Sequence, residues 1–334
     1  MSDGESVVTP AASWLAEGRR VATATVVNTW RSAPRPVGSQ MAVNDSGQFV
    51  GSVSGGCVES TVIQACQDLL RKGEPRSLEF GVSNERAWEV GLACGGQIEV
   101  WVAEAEPAVL ARLARVRGER SPVAVLIDLS TGAQRVVEPE DASELPSELR
   151  SGLEQALRDD QSRAVEDGGR RWFLHVFNPP ARIVIVGAVH LAQILAPLAS
   201  LSGFEVIVVD PRTSFASADR FPGVALDLRW PGAAFADIGL DRRTAVAALS
   251  HDPKLDDPAL ASALDSDCFY IGALGGRKSR EGRRVRLGEL GIDDDQLERI
   301  HGPIGLDIGA RTPAEIALAI LAQIIDRLRK PVAS

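Results

Sequence analysis

The run from Ile183 to Leu201 constrains the fold more than any other stretch of this chain. It carries no charged side chain over 19 residues, yet it contains Gly187, His190, Gln193 and Pro197, which suit a strand, turn and helix better than a bilayer. Its β-branched start, Ile183-Val184-Ile185-Val186, reads as a strand buried on both faces. A turn at Gly187 and a helix follow, then a second strand over Glu205–Val209. Shorter strands near Val224–Asp227, Ala245–Leu249 and Cys268–Ile271 alternate with helical patterns. Thr312-Pro313-Ala314-Glu315 announces the closing helix, with Thr312 as N-cap, Pro313 as first helical residue and Glu315 as capping-box partner. Such alternation predicts an α/β domain over 181–334, built on a doubly wound parallel sheet.

Residues 1–177 lack that rhythm. A helix near Ala11–Glu17 and a strand over Val21–Val27 precede a Pro- and Arg-rich loop, Trp30 to Pro36, where Arg31 and Arg35 suit phosphate contacts and a rigid surface turn equally well. Strands follow around Gln40–Val43 and Gln48–Val53, then a helix to about Arg71. Leu78–Gly81, a strand over Ile98–Val102, a helix over Pro107–Arg117 and a strand over Val123–Asp128 come next. Residues Glu138–Glu148 read as an acidic loop and Trp172–Phe177 as a last strand. Mixed strands and helices predict α+β for this domain. Asn178-Pro179-Pro180 is a stiff linker over 178–180.

Gly55-Gly56-Cys57 stands directly before an amphipathic pattern of Val58, Val62, Ile63, Cys66, Leu69 and Leu70. Helical spacing there puts Cys57 at the positive end of a helix, where amides are unpaired and a thiolate is favoured. The glycines permit a sharp turn and close approach of a bulky ligand. Cys94-Gly95-Gly96 repeats the pairing ahead of a strand. Cys57 is thus the leading candidate for a soft, nucleophilic anion beside an anion-binding turn, with Cys94 the weaker second candidate. Cys66 and Cys268 read as core.

Hydrophobic residues make up 45% and charged residues 24% of the 334, and the formal net charge is −9, which argues against general nucleic-acid binding. Four cysteines without a Cys-x-x-Cys pair do not form a disulfide framework, so a reducing cytoplasm is expected. The acidic start Met1-Ser2-Asp3-Gly4-Glu5 is unlike a signal peptide. The apolar cluster Ile316–Leu321 suits core packing better than the interface of a homo-oligomer.

In the second domain, Gly187-Ala188-Val189-His190-Leu191-Ala192 stands where a Gly-x-Gly-x-x-Gly loop would follow a strand. Asp210 comes 23 residues later, near the distance of a ribose-binding acid. Val189 replaces the glycine that lets backbone approach a pyrophosphate, which argues against ordinary NAD(P) binding. Gly275-Gly276 before Arg277 and Lys278 suggests a second anion site at a helix start; the more distal arginines read equally well as a solvated face. Ser250-His251-Asp252 follows a strand and can face the same cleft as His190. No two of the four histidines, His175, His190, His251 and His301, have zinc-ligand spacing.

Together these stretches resemble the XdhC/CoxI family of accessory proteins for molybdenum hydroxylases. Val37-Gly38 through Gly51-Ser52-Val53-Ser54-Gly55-Gly56-Cys57-Val58-Glu59 looks like one family signature, and Ala87 through Cys94-Gly95-Gly96 like a second. Gly187 to His190, Phe204 to Arg212, Ser250-His251-Asp252, Tyr270-Ile271-Gly272 and Gly302 to Pro313 match the Rossmann-like half. Val189 departs from the Gly-Ala-Gly-His found in many members. The resemblance implies a protein that binds molybdenum cofactor (molybdopterin or its dinucleotide form) and assists its sulfuration with a cysteine desulfurase. It would then deliver the cofactor to a molybdenum hydroxylase apoenzyme, as a chaperone rather than a turnover enzyme. On this reading Cys57 and Cys94 serve the metal–sulfur centre. Gly55, Gly56, Gly95, Gly96, Gly187, His190, Asp210, His251, Gly275, Gly276, Arg277 and Lys278 line the cofactor. Two alternatives stay open: an NAD(P)-dependent oxidoreductase using the second domain, and a copper or sulfur carrier using Cys57 and Cys94.

Overall fold

The computed structural model of the chain describes residues 5–81 and 96–330. It divides into two compact units, Met1–Pro179 and Pro180–Ser334.

The first unit contains α1 (Glu5–Ala16), β1 (Val21–Trp30), β2 (Gln40–Asn44), β3 (Phe49–Gly51), α2 (Glu59–Lys72), β4 (Arg76–Phe80) and β5 (Gln97–Glu104). After these come α3 (Pro107–Glu119), β6 (Val123–Asp128), β7 (Gln134–Val137), α4 (Ser147–Asp159), β8 (Arg163–Asp167) and β9 (Arg170–Phe177). Two antiparallel sheets result, ordered β3-β2-β1-β5-β4 and β7-β6-β9-β8. Period-2 alternation along β1 sends successive side chains to opposite cores. Ala22, Ala24 and Val26 pack with Val62, Cys66 and Leu69 of α2. Val21 and Val27 pack with Val7, Leu110 and Leu113 of α1 and α3, and with Val125 and Phe173 of the second sheet. α4 covers the other face of that sheet through Leu149, Leu153 and Leu157.

Much of the acidic segment expected as loop is ordered: Pro139–Glu144 forms a 3-10 turn, and Ser147 opens α4. The helical stripe that stabilises α4 lies beyond the segment's Pro- and Glu-rich residues, which hide its start. α1 begins six residues earlier than the apolar pattern suggests and accommodates Pro10. β7 and β8 are additions to the expected elements; half-exposed strands of four and five residues carry little periodicity.

The second unit contains β10 (Arg182–Val186), α5 (His190–Leu201), β11 (Glu205–Val209), β12 (Ala225–Asp227), α6 (Pro231–Ile238) and β13 (Thr244–Ala248). It continues with α7 (Pro253–Leu264), β14 (Tyr270–Ala273), α8 (Arg277–Glu289), α9 (Asp294–Glu298), β15 (Ile300–His301) and α10 (Pro313–Arg329). The six strands are parallel, in the order β12-β11-β10-β13-β14-β15. Ile183 and Ile185 face α5 and α10, while Val184 and Val186 face α6 and α7. β10 is therefore buried on both sides, which explains the uncharged run. Thr312 and Glu315 form the expected reciprocal cap of α10, and Ala317, Ala319, Ile320 and Leu321 enter the core. No helix among the described residues is long and apolar enough to cross a membrane.

Candidate functional site

Cys57 is exposed, whereas Cys66 and Cys268 are buried. Burial pushes the Cys66 thiol up to about 12 and raises that of Cys268 as well, so neither supplies thiolate at neutral pH. Gly55 and Gly56 adopt φ of +79° and +121°, and no atom lies within 4 Å of where a Cβ would stand on either. The turn therefore needs glycine for its backbone and leaves open space beside the sulfur.

What holds this turn is Glu59, the first residue of α2. Its Oε1 accepts from Ser52 Oγ (2.7 Å), Ser54 N (2.9 Å) and Val53 N (3.3 Å). Its Oε2 accepts from Ser54 Oγ (2.5 Å), Gly56 N (2.8 Å) and Val58 N (3.2 Å). Ser54 Oγ also accepts from the Cys57 and Val58 amides. The amides expected to grip an anionic ligand are thus occupied by the protein's own carboxylate and hydroxyl. The loop is a preorganised mount for the thiol, and an anion must be held elsewhere. The sequence motif contains Glu59 without revealing its role; its place three residues after Gly56, at a helix start, is the available signal.

Burial opposes ionisation of Glu59, but the Ser54 and Ser52 hydroxyls and the backbone amides outweigh it and hold its pKa at about 2. An unfolded Glu titrates near 4.3, so this stabilisation is complete above that pH and disappears as pH falls toward 2. Glu59→Gln puts an amide donor against donors, and is expected to cost about 1–3 kcal/mol at pH 7. Denaturant titrations at pH 7 and pH 3 should show the gap between wild type and variant narrowing in acid.

Cys94 and Gly95 lie outside the described residues. Gly96 is buried, and a Cβ there would stand 2.5 Å from the Ser32 carbonyl oxygen, so this glycine permits close packing against the 32–33 backbone. Among the described residues, no group of three or more His, Cys, Asp or Glu is placed to hold a metal ion. His175 is buried between Phe173 and Phe177, its Nε2 lies 3.0 Å from the Gly38 carbonyl, and burial pushes its pKa down to about 4. It is a neutral core residue.

In the second unit, strand order reverses between β10 and β13, the crevice where open parallel sheets bind ligands. Gly187, at φ +100°, lies there; a Cβ would stand 2.7 Å from Ser250 Cα, so it lets the ends of β10 and β13 approach. Val189 is the N-cap of α5, His190 is exposed at its first position, and His251 is exposed at φ +61°. Both histidines therefore border the carboxyl edge of the sheet.

Asp210 does not offer a carboxylate to a ribose. Its side chain is 0% exposed and accepts from Ala188 N (2.8 Å), Arg212 N (2.9 Å), Arg212 Nε (2.9 Å) and Arg212 Nη2 (2.7 Å). It ties the Gly187 turn to the end of β11. With Val189 on the turn and Asp210 spent on Arg212, titration of NADH or NADPH by calorimetry is expected to give no saturable binding.

Gly275 and Gly276 lead into α8 as expected, but Arg277 and Lys278 point into solvent, and Arg277 pairs with Glu281. Arg283, one of the distal arginines that the sequence leaves on a solvated face, is the buried one.

A parallel sheet wound on both faces, with a glycine turn at its reversal point, defines a Rossmann-type domain. The other unit presents a clamped thiol loop. The chain belongs to the XdhC/CoxI family: the XdhC Rossmann-domain model matches residues 183–324, and the XdhC and CoxI family model matches residues 14–81. It is 29% identical over 325 residues to the molybdenum cofactor insertion chaperone PaoD of Escherichia coli K12, covering 96% of this chain and 88% of that protein. It is 26% identical to a probable xanthine dehydrogenase subunit of Bacillus subtilis 168, over 96% of each. The fold matches a Bacillus halodurans crystal structure described as a xanthine dehydrogenase, with TM-score 0.74 and 24% identity over 100% of this chain and 98% of the other.

Proposed function

We propose that this chain is a maturation factor that carries molybdenum cofactor as cargo and inserts it into a molybdenum hydroxylase apoenzyme. The observation that carries the reading is an exposed thiol, Cys57, on an open Gly-Gly turn fixed by Glu59, in a chain similar to an insertion chaperone. A thiolate is a soft ligand suited to a metal–sulfur centre, and the open space at Gly55 and Gly56 admits a bulky group. Cys57 acts as that ligand, or as the acceptor of sulfane sulfur from a cysteine desulfurase during sulfuration. His190, His251 and the Gly275-Gly276 turn are a separate candidate polar-ligand edge within the second unit. The chain binds and hands over; it does not turn substrate over.

Purification from a molybdate-fed host that makes the cofactor tests this directly. Molybdenum and pterin should co-purify with the chain in near-equal amounts. A fully folded preparation free of both would remove the carrier reading.

A further inference from the structure

We propose that Arg283 anchors a phosphate-binding site, formed with the amino end of α8 and the loop at Gly302. The inference stands whether or not the chain carries molybdenum cofactor.

Arg283 is only 6% exposed. Its Nη2 donates to the Leu274 carbonyl at 2.8 Å, while Nε and Nη1 have no hydrogen-bond partner. A buried donor left unmade costs about 1–3 kcal/mol, more where charged, so two on one side chain point to an acceptor supplied from outside. The other arginines of α8 are already answered: Arg277 by Glu281, Arg280 by Glu298, Arg284 by Asp294 and Glu298, and Arg286 by Asp257.

The guanidinium lies between two glycine loops. Nη2 is 3.8 Å from the Cβ position of Gly275, and Nη1 is 3.8 Å from that of Gly302. Neither glycine puts a side chain over it. At Gly276, the N-cap of α8, nothing lies within 4 Å of a Cβ position, and the first amides of this 13-residue helix are unpaired as at any helix start. A small cleft runs beside Arg280, Arg283 and Arg284 to Leu297 and Ile300.

Charge selects the ligand class. α8 carries six basic and two acidic residues, a net of +4, in a chain of −9. The carboxylates facing Arg283 are Asp256 and Asp257. Asp257 is neutralised by Arg286, and Asp256 accepts from Ser250 Oγ at 2.7 Å. A guanidinium on one side and helix amides on another suit a tetrahedral oxyanion, with acceptors in several directions, better than a planar carboxylate.

Calorimetry of the full chain with inorganic phosphate, at fixed ionic strength against a chloride control, tests the site. Saturable one-to-one binding is expected, weakened about 10- to 100-fold by Arg283→Met and unchanged by Arg19→Ala, whose side chain pairs with Asp45 in the first unit. Should Arg283→Met fail to fold, Gly302→Ala adds a methyl at ordinary contact distance from Nη1 and should weaken phosphate in a folded protein. AMP binding tighter than phosphate assigns a nucleotide; displacement of phosphate by extracted molybdopterin, with AMP no tighter than phosphate, assigns the pterin's own phosphate. Absence of saturable phosphate binding, or equal binding by wild type and both site variants, overturns the proposal. None of these readings requires molybdenum, so failure of the carrier role leaves them intact.

Discussion

Cys57→Ala is expected to abolish co-purification of molybdenum cofactor while leaving the protein as stable as wild type. The stability half follows from what the loop rests on. The sulfur is exposed, so its removal leaves no cavity, and surface changes of this kind fall within about 0.5 kcal/mol. The turn is held by Glu59 and Ser54, which accept from backbone amides and from serine hydroxyls. None of those bonds uses the thiol. The binding half follows from chemistry: alanine supplies neither a metal ligand nor a sulfur acceptor, and both buried thiols are held protonated by burial. Molybdenum and pterin analysis beside a melting curve separates the two effects. Cys66→Ala serves as the comparison, expected to retain cargo. Undiminished cargo on a folded Cys57→Ala protein would take the thiol out of the mechanism.

How much of this could be read from residues differs between the two units. β10, β11 and the capped α10 were legible nearly to the residue, because a doubly buried strand and a Thr-Pro-x-Glu start are local signals. The Gly-Gly-Cys turn was legible as well, since its geometry is set within nine residues. The roles of Asp210, Gly96 and Arg283 were not. Asp210 has the spacing of a ribose acid, and only the fold shows Arg212 turned back onto it. Gly96 looks like a ligand glycine and is instead crowded by residues 32–33, more than sixty positions away. Arg283 is one of six basic residues on its helix, and which of them is buried depends on α9, β15 and the Gly302 loop. Sequence carries conformation that is decided nearby; it hides which polar groups the tertiary packing has already consumed.

That distinction is testable within a single unit, because the chain builds the same Asp-x-Arg hook twice. In each, the arginine amide and Nε donate to Oδ1 and Nη2 donates to Oδ2: Arg212 to Asp210, and Arg229 to Asp227. The environments differ. Asp210 is 0% exposed and also accepts the buried amide of Ala188, whereas Asp227 and Arg229 are 14% and 48% exposed. Asp210→Ala strands the Ala188 N–H without water, while Arg212, 34% exposed, regains some hydration. A cost of about 3 kcal/mol is therefore expected, the lower end for a broken buried pair. For a unit of this size that lowers the melting temperature by roughly 6–12 °C. Asp227→Ala, at a half-exposed pair, should cost less than about 1 kcal/mol.

Acid adds a second signature. Burial raises the Asp210 pKa, but the hydrogen bonds from Arg212 and from the Arg212 and Ala188 amides more than reverse it, leaving the value below that of a free Asp. The stabilisation is then complete above about pH 4 and is lost as pH drops through the folded value. Melting curves at pH 7 and pH 3 should show the penalty of Asp210→Ala shrinking in acid. Equal penalties for the two hooks at pH 7 would mean that burial and the Ala188 amide add nothing, and Asp210 would again be free to serve a ligand.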